Sequence, residues 1–255
     1  MALKDNLVAL WELDEASGTR NDSHSTNHLT DGSSVGRIAG KYSSYGARLA
    51  SASGDFLSVA DNAALSMNDE DFSISAWVRI TADNGIAFLL SKFDGDTDNR
   101  EWGLYWKLSA AQFAWRVYAS GTGDSDSIEA SSFGTPAIDG SQWCWIYAYH
   151  DHGTEIGISV NNGTINTTAK TNGVFSGAAG VYIGSYVGGA LYPDADIQQV
   201  AIWRKLLSSD DRIAIYNGGT GLAYSAWDAA TGHPASRRMG GVKFAGNQSL
   251  GMNRW

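Results

Sequence analysis

Phe72-Ser73-Ile74-Ser75-Ala76-Trp77-Val78-Arg79-Ile80 is the stretch of this chain in which the pattern of side chains is clearest. The even-numbered positions, from Phe72 to Ile80, are all apolar, and Ser73, Ser75 and Arg79 place polar groups between them. Alternation with a period of two is typical of a β-strand that buries one face. We therefore predict a strand here, with its even-numbered side chains in a core.

The same alternation of apolar and polar residues continues on both sides of this strand. Upstream, Leu7–Leu13 alternates; downstream, Ile86–Phe93 and Trp102–Leu108 flank the acidic turn 94–99 and predict a hairpin. Further strands are predicted at 112–119, 143–150, 155–160, 181–185 and 197–204. A single short helix is predicted over Leu207–Asn217, with serine cap candidates at its start and Gly218-Gly219 at its end. Many short strands with one late helix favour an antiparallel sandwich.

In their order along the chain, these segments resemble the laminin-G-like, concanavalin A-like lectin/glucanase superfamily. The matching stretches are Ala9–Gly18, Phe72–Val78, Leu90-Ser91-Lys92 with Trp102-Gly103-Leu104, Ile158–Gly163, and Ile197–Ser208. The resemblance implies an all-β fold, a jelly-roll sandwich of two antiparallel sheets over residues 1–224. Residues 225–255 would then form a basic, glycine-rich C-terminal tail. Because this fold hosts lectins, hydrolases, adhesion modules and structural proteins, it implies no single function.

Composition narrows the function classes. The chain has 255 residues, a net charge of −9 and one cysteine. A negative chain is a poor partner for nucleic acid, whose phosphates require clustered Lys and Arg. Cys144 cannot form an intramolecular disulfide, and its apolar neighbours predict a buried thiol. No apolar run has the length of a membrane span, and the first residues lack the pattern of a secretory signal peptide. We therefore expect cytoplasmic synthesis.

Catalysis is not expected. A glycosidase needs two carboxylates that flank the scissile bond, and enzymatic members of the superfamily carry a Glu-x-Asp-x-x-Glu run that this chain lacks. The nearest acidic pair, Asp194 and Asp196, is interpreted as part of a solvated turn. A glycoside hydrolase remains the least favoured alternative.

A calcium ion is the one cofactor that the resemblance implies. Relatives hold it between an opening loop and an Ile-Asp-Asp-Val-type strand. Here Asp22 matches the loop acid, Asn27 is a helper, and Gln198 replaces the first acid of the strand. Amide oxygens can ligate calcium, but the lower site charge predicts weaker binding.

Ten Trp and eleven Tyr are a heavy aromatic load. Alternation puts Trp102, Leu104 and Trp106 on one face and Tyr105 on the other; Phe113, Trp115 and Val117 oppose Arg116 and Tyr118. We single out Tyr105, Arg116, Tyr118 and Trp143 as candidate binding residues. Three alternatives stay open: core filling with ordinary exposed aromatics, a platform for sugar rings, and a docking face for another protein.

The tail supplies the remaining hypothesis. Its candidate contact residues are Arg237, Arg238, Lys243, Arg254 and Trp255. It resembles tails of laminin-G-like proteins of phages and their bacterial hosts, and it either straps back across the domain or reaches an acidic neighbour. We therefore predict a non-catalytic binding or structural protein, associated with a virion as a decoration, fibre or tail subunit. Its partners would be other virion or surface proteins, itself, or glycans; the alternative is a carbohydrate-binding lectin module.

Overall fold

A computed structural model describes residues 2–43, 45–107, 111–123, 125–129 and 136–228 of the chain. The five arm residues predicted in the tail, from Arg237 to Trp255, lie outside this range. Residues 225–228 lie inside it, and Trp227 is fully buried against the domain. The predicted boundary at residue 225 remains a prediction.

The described residues form two antiparallel sheets. In chain order the strands are β1 (Leu7–Trp11), β2 (Thr30–Asp31), β3 (Gly36–Ala39), β4 (Tyr45–Leu49), β5 (Leu57–Val59), β6 (Phe72–Ala82), β7 (Ala87–Asp94), β8 (Asn99–Lys107), β9 (Gln112–Tyr118), β10 (Ser125–Glu129), β11 (Cys144–Asp151), β12 (Glu155–Val160), β13 (Asn166–Ala169), β14 (Val181–Ile183) and β15 (Asp194–Trp203). The eight-stranded sheet has the order β13-β12-β11-β6-β15-β4-β3, with β1 paired to β15. The seven-stranded sheet has the order β10-β9-β8-β7-β14-β5-β2.

The main core lies between the two sheets. The even-numbered residues of β6 are buried in it, as the alternation predicts. The inward residues of β8 and β9 face them from the other sheet, namely Trp102, Leu104, Trp106, Phe113, Trp115 and Val117. Cys144 belongs to the same core, which confirms its predicted burial. The two-sheet antiparallel sandwich predicted from the sequence is therefore confirmed.

The outer face of the eight-stranded sheet is closed by a second apolar cluster. Helix α1 (Ser209–Tyr216) lies on this face, and Tyr216 stacks on Trp77 with ring centroids 5.9 Å apart. Trp227 stacks on Trp203 at 5.6 Å. The helix begins at a capping box in which Ser208 and Asp211 exchange hydrogen bonds, so the predicted serine cap is confirmed. One outer face of the sandwich is thereby closed to large ligands.

The predicted strands and the short helix are confirmed with boundaries shifted by a few residues. Strands β3, β4, β5, β10 and β13 were not predicted as strands, and each of them has at most five residues. Among the described residues, no helix has the length and apolar character of a membrane span.

Candidate functional site

The outer face of the seven-stranded sheet carries a row of directly opposed residues, one from each strand. In register these are Thr30, Ser58, Tyr182, Ser91, Gly103, Arg116 and Ser127. Directly opposed residues of an antiparallel sheet point to the same face. Six of the seven carry a hydroxyl or a guanidinium group. We call this set the polar row.

An aromatic cluster of Phe88, Phe93, Tyr105, Tyr118 and Tyr186 covers the middle of the polar row. The ring centroids of Phe88 and Tyr105 are 4.2 Å apart, and those of Phe93 and Tyr186 are 5.4 Å apart. Gly103 permits this packing, because a Cβ at that position would lie 2.8 Å from the Tyr105 ring. The cluster buries Ser91 and Gly103 and leaves the two ends of the row accessible.

This cluster corrects the expected exposure of Tyr105 and Tyr118. The two residues do share the outer face, and their hydroxyl oxygens are 3.3 Å apart. However, their exposed fractions are only 7% and 4%, because Phe88 and Phe93 pack over them. Burial accordingly raises the pKa of Tyr105 above its ordinary value. Arg116 lies beside them and is partly exposed, with its guanidinium carbon 5.5 Å from the centre of the Tyr105 ring. Their assignment as binding residues stays a prediction.

A groove of about 490 Å³ lies at the β2 end of the polar row. Thr30, Ser58 and Tyr182 line it, together with Asp61. The Tyr182 ring is partly exposed and stacks on Phe56 at 5.7 Å, which holds it in place. Within the described residues, no hydrogen bond engages the side-chain oxygens of Thr30, Ser58 or Tyr182. The groove therefore presents three unengaged hydroxyl groups and the surface of one aromatic ring.

Asp61 adds a carboxylate to the groove wall. Its Oδ1 accepts hydrogen bonds from Lys92 Nζ at 2.7 Å and from Ser66 Oγ at 3.1 Å. No donor from the described part of the chain reaches Oδ2. This oxygen is therefore available to accept hydrogen bonds from a ligand.

Asp94 also lines the groove, but its carboxylate is occupied. Its oxygens accept hydrogen bonds from the backbone N–H groups of Asp96 and Thr97 and from the Thr97 hydroxyl. Burial opposes ionisation here, yet these hydrogen bonds lower the pKa of Asp94 below its ordinary value. The Asp94 carboxylate thus caps the predicted hairpin turn at 94–99. It adds negative charge to the groove, but its oxygens are already hydrogen-bonded within the turn and are not available to a ligand.

A buried charged triad anchors Asp61 from behind. Lys92 Nζ lies 2.7 Å from Glu101 Oε1 as well as 2.7 Å from Asp61 Oδ1, and it donates to the Ala179 carbonyl at 2.7 Å. The side chains of Lys92 and Glu101 are fully buried. Burial outweighs the attraction of Lys92 and raises the pKa of Glu101 to about 7. Because the ammonium lies between the two carboxylates and Glu101 has no access to solvent, the pair is not arranged to flank a sugar bond.

Trp143 is not brought together with the other predicted aromatic residues. It directly precedes β11 in the opposite sheet, where the Arg79 guanidinium lies 4.9 Å from its ring centre.

Arg79 and Arg48 both donate to the carboxylate of Asp196, which is fully buried. The prediction of a solvated turn at Asp194 and Asp196 is therefore wrong, because both residues belong to β15 and Asp196 is neutralised by two arginines.

The three predicted calcium ligands do not converge. Four backbone N–H groups donate to the Asp22 carboxylate; three reach Oδ1, and that of Asn27 reaches Oδ2 at 3.1 Å. Gln198 is engaged elsewhere, since its Oε1 accepts from the Lys41 N–H at 2.6 Å and its Nε2 donates to the Tyr45 carbonyl at 2.7 Å. These residues do not fit a shared calcium site, because backbone N–H groups already donate to the oxygens of Asp22 and Gln198, and Asn62 Nδ2 donates to Asn27 Oδ1. Calcium binding by the chain stays a prediction.

Within the described ranges, no group of three or more His, Cys, Asp or Glu side chains is placed so that it could hold a metal ion.

The groove residues were missed by the sequence analysis, although a signal was present. Ser58 and Tyr182 are the central residues of Leu57-Ser58-Val59 and Val181-Tyr182-Ile183, two short runs in which apolar residues flank an outward-facing polar one. Alternation thus gave the direction of both side chains. Alternation could not show that β5 and β14 pair with each other. That pairing places Ser58 and Tyr182 side by side.

A family model described as the concanavalin A-like lectin/glucanases superfamily matches residues 51–211 of the chain. The chain belongs to this superfamily. The superfamily's name covers both lectins and glucanases, so membership establishes the fold and leaves catalysis to be judged from the site. A search of curated proteins finds no match.

Solved structures with the same fold include several binding domains of bacterial toxins. The binding domain of Paraclostridial Mosquitocidal Protein 1 has a TM-score of 0.68 and 19% sequence identity. The match covers 85% of the present chain and 53% of the toxin chain. The binding domain of Botulinum neurotoxin DC, in complex with rat synaptotagmin II, has a TM-score of 0.64 and 13% identity, with coverages of 85% and 52%. The ligand binding domain of Botulinum neurotoxin serotype D, in complex with N-acetylneuraminic acid, has a TM-score of 0.65 and 16% identity, with coverages of 84% and 51%.

The chain therefore spans about half the length of these structures. At such low identity the likeness concerns the fold alone. The neighbours are binding domains that contact a protein in one case and a sugar acid in another.

Proposed function

We propose that this chain is a non-catalytic binding module that holds a saccharide in the groove at the β2 end of the polar row. The observation that carries the proposal is the set of unengaged hydroxyls of Thr30, Ser58 and Tyr182 beside the free Oδ2 of Asp61. Sugar hydroxyls both donate and accept hydrogen bonds, so they match hydroxyl groups and a carboxylate oxygen. The partly exposed Tyr182 ring offers an apolar surface to one face of a sugar ring.

The same geometry supports binding without hydrolysis. Hydrolysis of a glycosidic bond needs two carboxyl groups that both reach the substrate. Of the two carboxylates that line the groove, Asp61 has an oxygen free for a ligand and Asp94 is occupied by its own turn, while Glu101 is buried behind Lys92. A panel of polysaccharides incubated with the protein should release no reducing ends. Hydrolysis that is lost in Asp61→Asn would contradict this part of the proposal.

A glycan array followed by calorimetric titration of the best ligand tests the binding site. Tyr182→Ala should weaken the affinity by about tenfold, the effect of losing one aromatic contact and one hydrogen bond. Ser58→Ala, which changes a single hydroxyl, should show a smaller loss. Tyr45→Ala is the matched control, because Tyr45 is an exposed tyrosine of the opposite sheet. Equal affinity of the Tyr182 and Tyr45 variants would exclude the groove as the site, and no binding by any glycan would exclude the saccharide.

The setting that we propose for this module is a virion or surface assembly, with synthesis in the cytoplasm. The support is the composition of the tail, in which Arg237, Arg238, Lys243 and Arg254 give a basic segment on a chain of net charge −9. Such a segment is suited to an acidic face of another virion protein or of a second copy. Sedimentation of the full chain beside a chain ending at residue 228 tests this. Self-association or particle binding that depends on the tail is expected, and identical monomers that bind no particle would refute it.

A further inference from the structure

The groove at the β2 end of the polar row is negatively charged. Two carboxylates line it, those of Asp61 and Asp94, and no lysine or arginine of the described chain does. Hydrogen bonds within its turn lower the pKa of Asp94, so this carboxylate is ionised at neutral pH. A third carboxylate lies at the edge, since Asp96 Oδ2 is 3.2 Å from the position that a Cβ would take on Gly188, next to the groove residue Val187. A ligand that enters the groove therefore meets negative charge.

The cations of this region are engaged outside the groove. Lys92 is fully buried, and its ammonium group lies 2.7 Å from a carboxylate oxygen of Asp61 and 2.7 Å from one of Glu101. Because the pKa of Glu101 is about 7, this residue is partly ionised at neutral pH and shares the charge of Lys92 with Asp61. Arg100 donates to two backbone carbonyls of residues that do not line the groove. Neither cation therefore cancels the negative charge that faces a ligand.

The Asp61 carboxylate is held ready for a donor. Its Oδ1 accepts hydrogen bonds from Lys92 and Ser66, which fixes a side chain that is 26% exposed. The free Oδ2 is thus a preorganised acceptor that a ligand does not have to order. A protonated amine brings three N–H donors, and its pairing with a carboxylate adds the attraction of opposite charges to the hydrogen bond. The carboxylate of a sugar acid would be repelled at the same place.

The remainder of the groove fits the remainder of an amino sugar. The unengaged hydroxyls of Thr30, Ser58 and Tyr182 can pair with sugar hydroxyls, and the Tyr182 ring offers its face to the sugar ring. A lysine side chain of a peptide would bring the same ammonium group, but its aliphatic stem cannot form hydrogen bonds with the three hydroxyls. The combination of a carboxylate with hydroxyls therefore favours a saccharide over a basic peptide.

We infer that the groove takes a saccharide of the amino sugar class, with its protonated amine on Oδ2 of Asp61. The inference rests on the proposed function, because it assigns the ligand of the same groove. The expected order of affinity is the amino sugar first, the neutral parent sugar second and the sugar acid last. Because Asp61 is partly exposed, the preference for the amine over the neutral sugar should be about fivefold.

NMR titration of the full chain, followed through its backbone N–H resonances, measures affinity and location together. The probes are glucose, glucosamine, N-acetylglucosamine and glucuronic acid, and the corresponding galactose series, at about pH 7, where an amine of ordinary pKa is largely protonated. In at least one series the amino sugar should bind about fivefold more tightly than its neutral and N-acetylated counterparts. The N–H resonances of Ser58, Asp61 and Tyr182 should shift.

Asp61→Asn keeps the shape of the side chain and removes its charge. It should bring the ratio of the two affinities, amino sugar over neutral sugar, close to one while the neutral sugar still binds. Asp126→Asn is the matched control and should keep the ratio. Asp126 is also a partly exposed aspartate beside a fully buried lysine, Lys170 at 3.3 Å, and it lies on β10 at the far edge of the sheet.

A measurement on the wild type keeps the inference testable if Asp61→Asn fails to fold. Added salt should weaken the binding of the amino sugar and leave that of the neutral sugar unchanged. The inference alone is overturned if neutral sugars bind in the groove as tightly as amino sugars, if the ratio survives in Asp61→Asn, or if an oligolysine peptide binds there more tightly than every sugar. Failure of all sugars to bind would overturn the proposed function as well.

Discussion

Glu101→Gln should remove a pH dependence of folding that originates in the buried charged triad. The replacement keeps the shape of the side chain and removes its proton equilibrium. In the folded protein, burial raises the pKa of Glu101 from 4.5 to about 7, against the attraction of Lys92. A raised pKa means that the folded state holds this proton more tightly than the unfolded chain does. The stabilising contribution is therefore complete below about pH 4.5 and is lost as the pH rises through 7.

The size of the effect follows from the same two pKa values. At about 1.4 kcal/mol per unit, the rise corresponds to about 3 kcal/mol of folding free energy that the wild type loses between pH 4.5 and pH 8 and that Glu101→Gln does not lose. Urea unfolding of both proteins at pH 5, 6, 7 and 8 gives the difference directly, because the contributions of all other groups nearly cancel. The variant should gain stability relative to the wild type over this range.

Glu70→Gln provides the control for removing one negative charge, since Glu70 is an exposed glutamate paired with Arg204. The reasoning would be refuted by a difference between Glu101→Gln and the wild type that stays constant across the range. It would equally be refuted by a difference of opposite sign, which would mean that Lys92 outweighs burial and stabilises the ionised form.

Three further predictions concern the packing around the site. Trp227→Ala should destabilise the fold by about 3–5 kcal/mol in urea unfolding, because the stacked contact with Trp203 is fully buried; a loss below about 1 kcal/mol would contradict this packing. Ser208→Ala should cost about 1 kcal/mol through loss of the capping box with Asp211, and an unchanged melting temperature would contradict it. Burial raises the pKa of Cys144 to about 12, so the native thiol should react with a disulfide reagent at pH 8 far more slowly than the thiol of the urea-unfolded chain.

Alternation in the sequence predicts the core of this fold, because in both sheets every second residue of the long strands points into the space between the sheets. The residues of β6, β8 and β9 that were assigned inward are inward, since in each case a run of alternating residues crosses the full height of a sheet. The short strands β3 and β4 were not predicted, because four or five residues contain too few repeats for a period of two to be recognised.

The candidate site was less predictable, because it depends on neighbours far apart in the sequence. Tyr105 points outward as alternation requires, yet it is buried by Phe88 and its cluster includes Tyr186. Gln198 illustrates a second limit. The register between β15 and β6 shifts between Gln198 and Ala201, and Gln199 has a φ of 49°. A bulge of this kind redirects the side chains around it and has no signature in a period of two.

The two outer faces of the sandwich have opposite roles, and this contrast argues for where a ligand binds. On the eight-stranded sheet, Trp77 and Trp203 are sealed beneath α1 and Trp227, so aromatic area there contributes to stability. On the seven-stranded sheet no helix of the described chain covers the polar row, and hydrogen-bonding groups remain unengaged at both of its ends. Substitutions on the sealed face should therefore lower the free energy of unfolding first. Substitution of Tyr182 should lower ligand affinity more than it lowers the free energy of unfolding, because its ring is partly exposed and packs on Phe56 outside the main core.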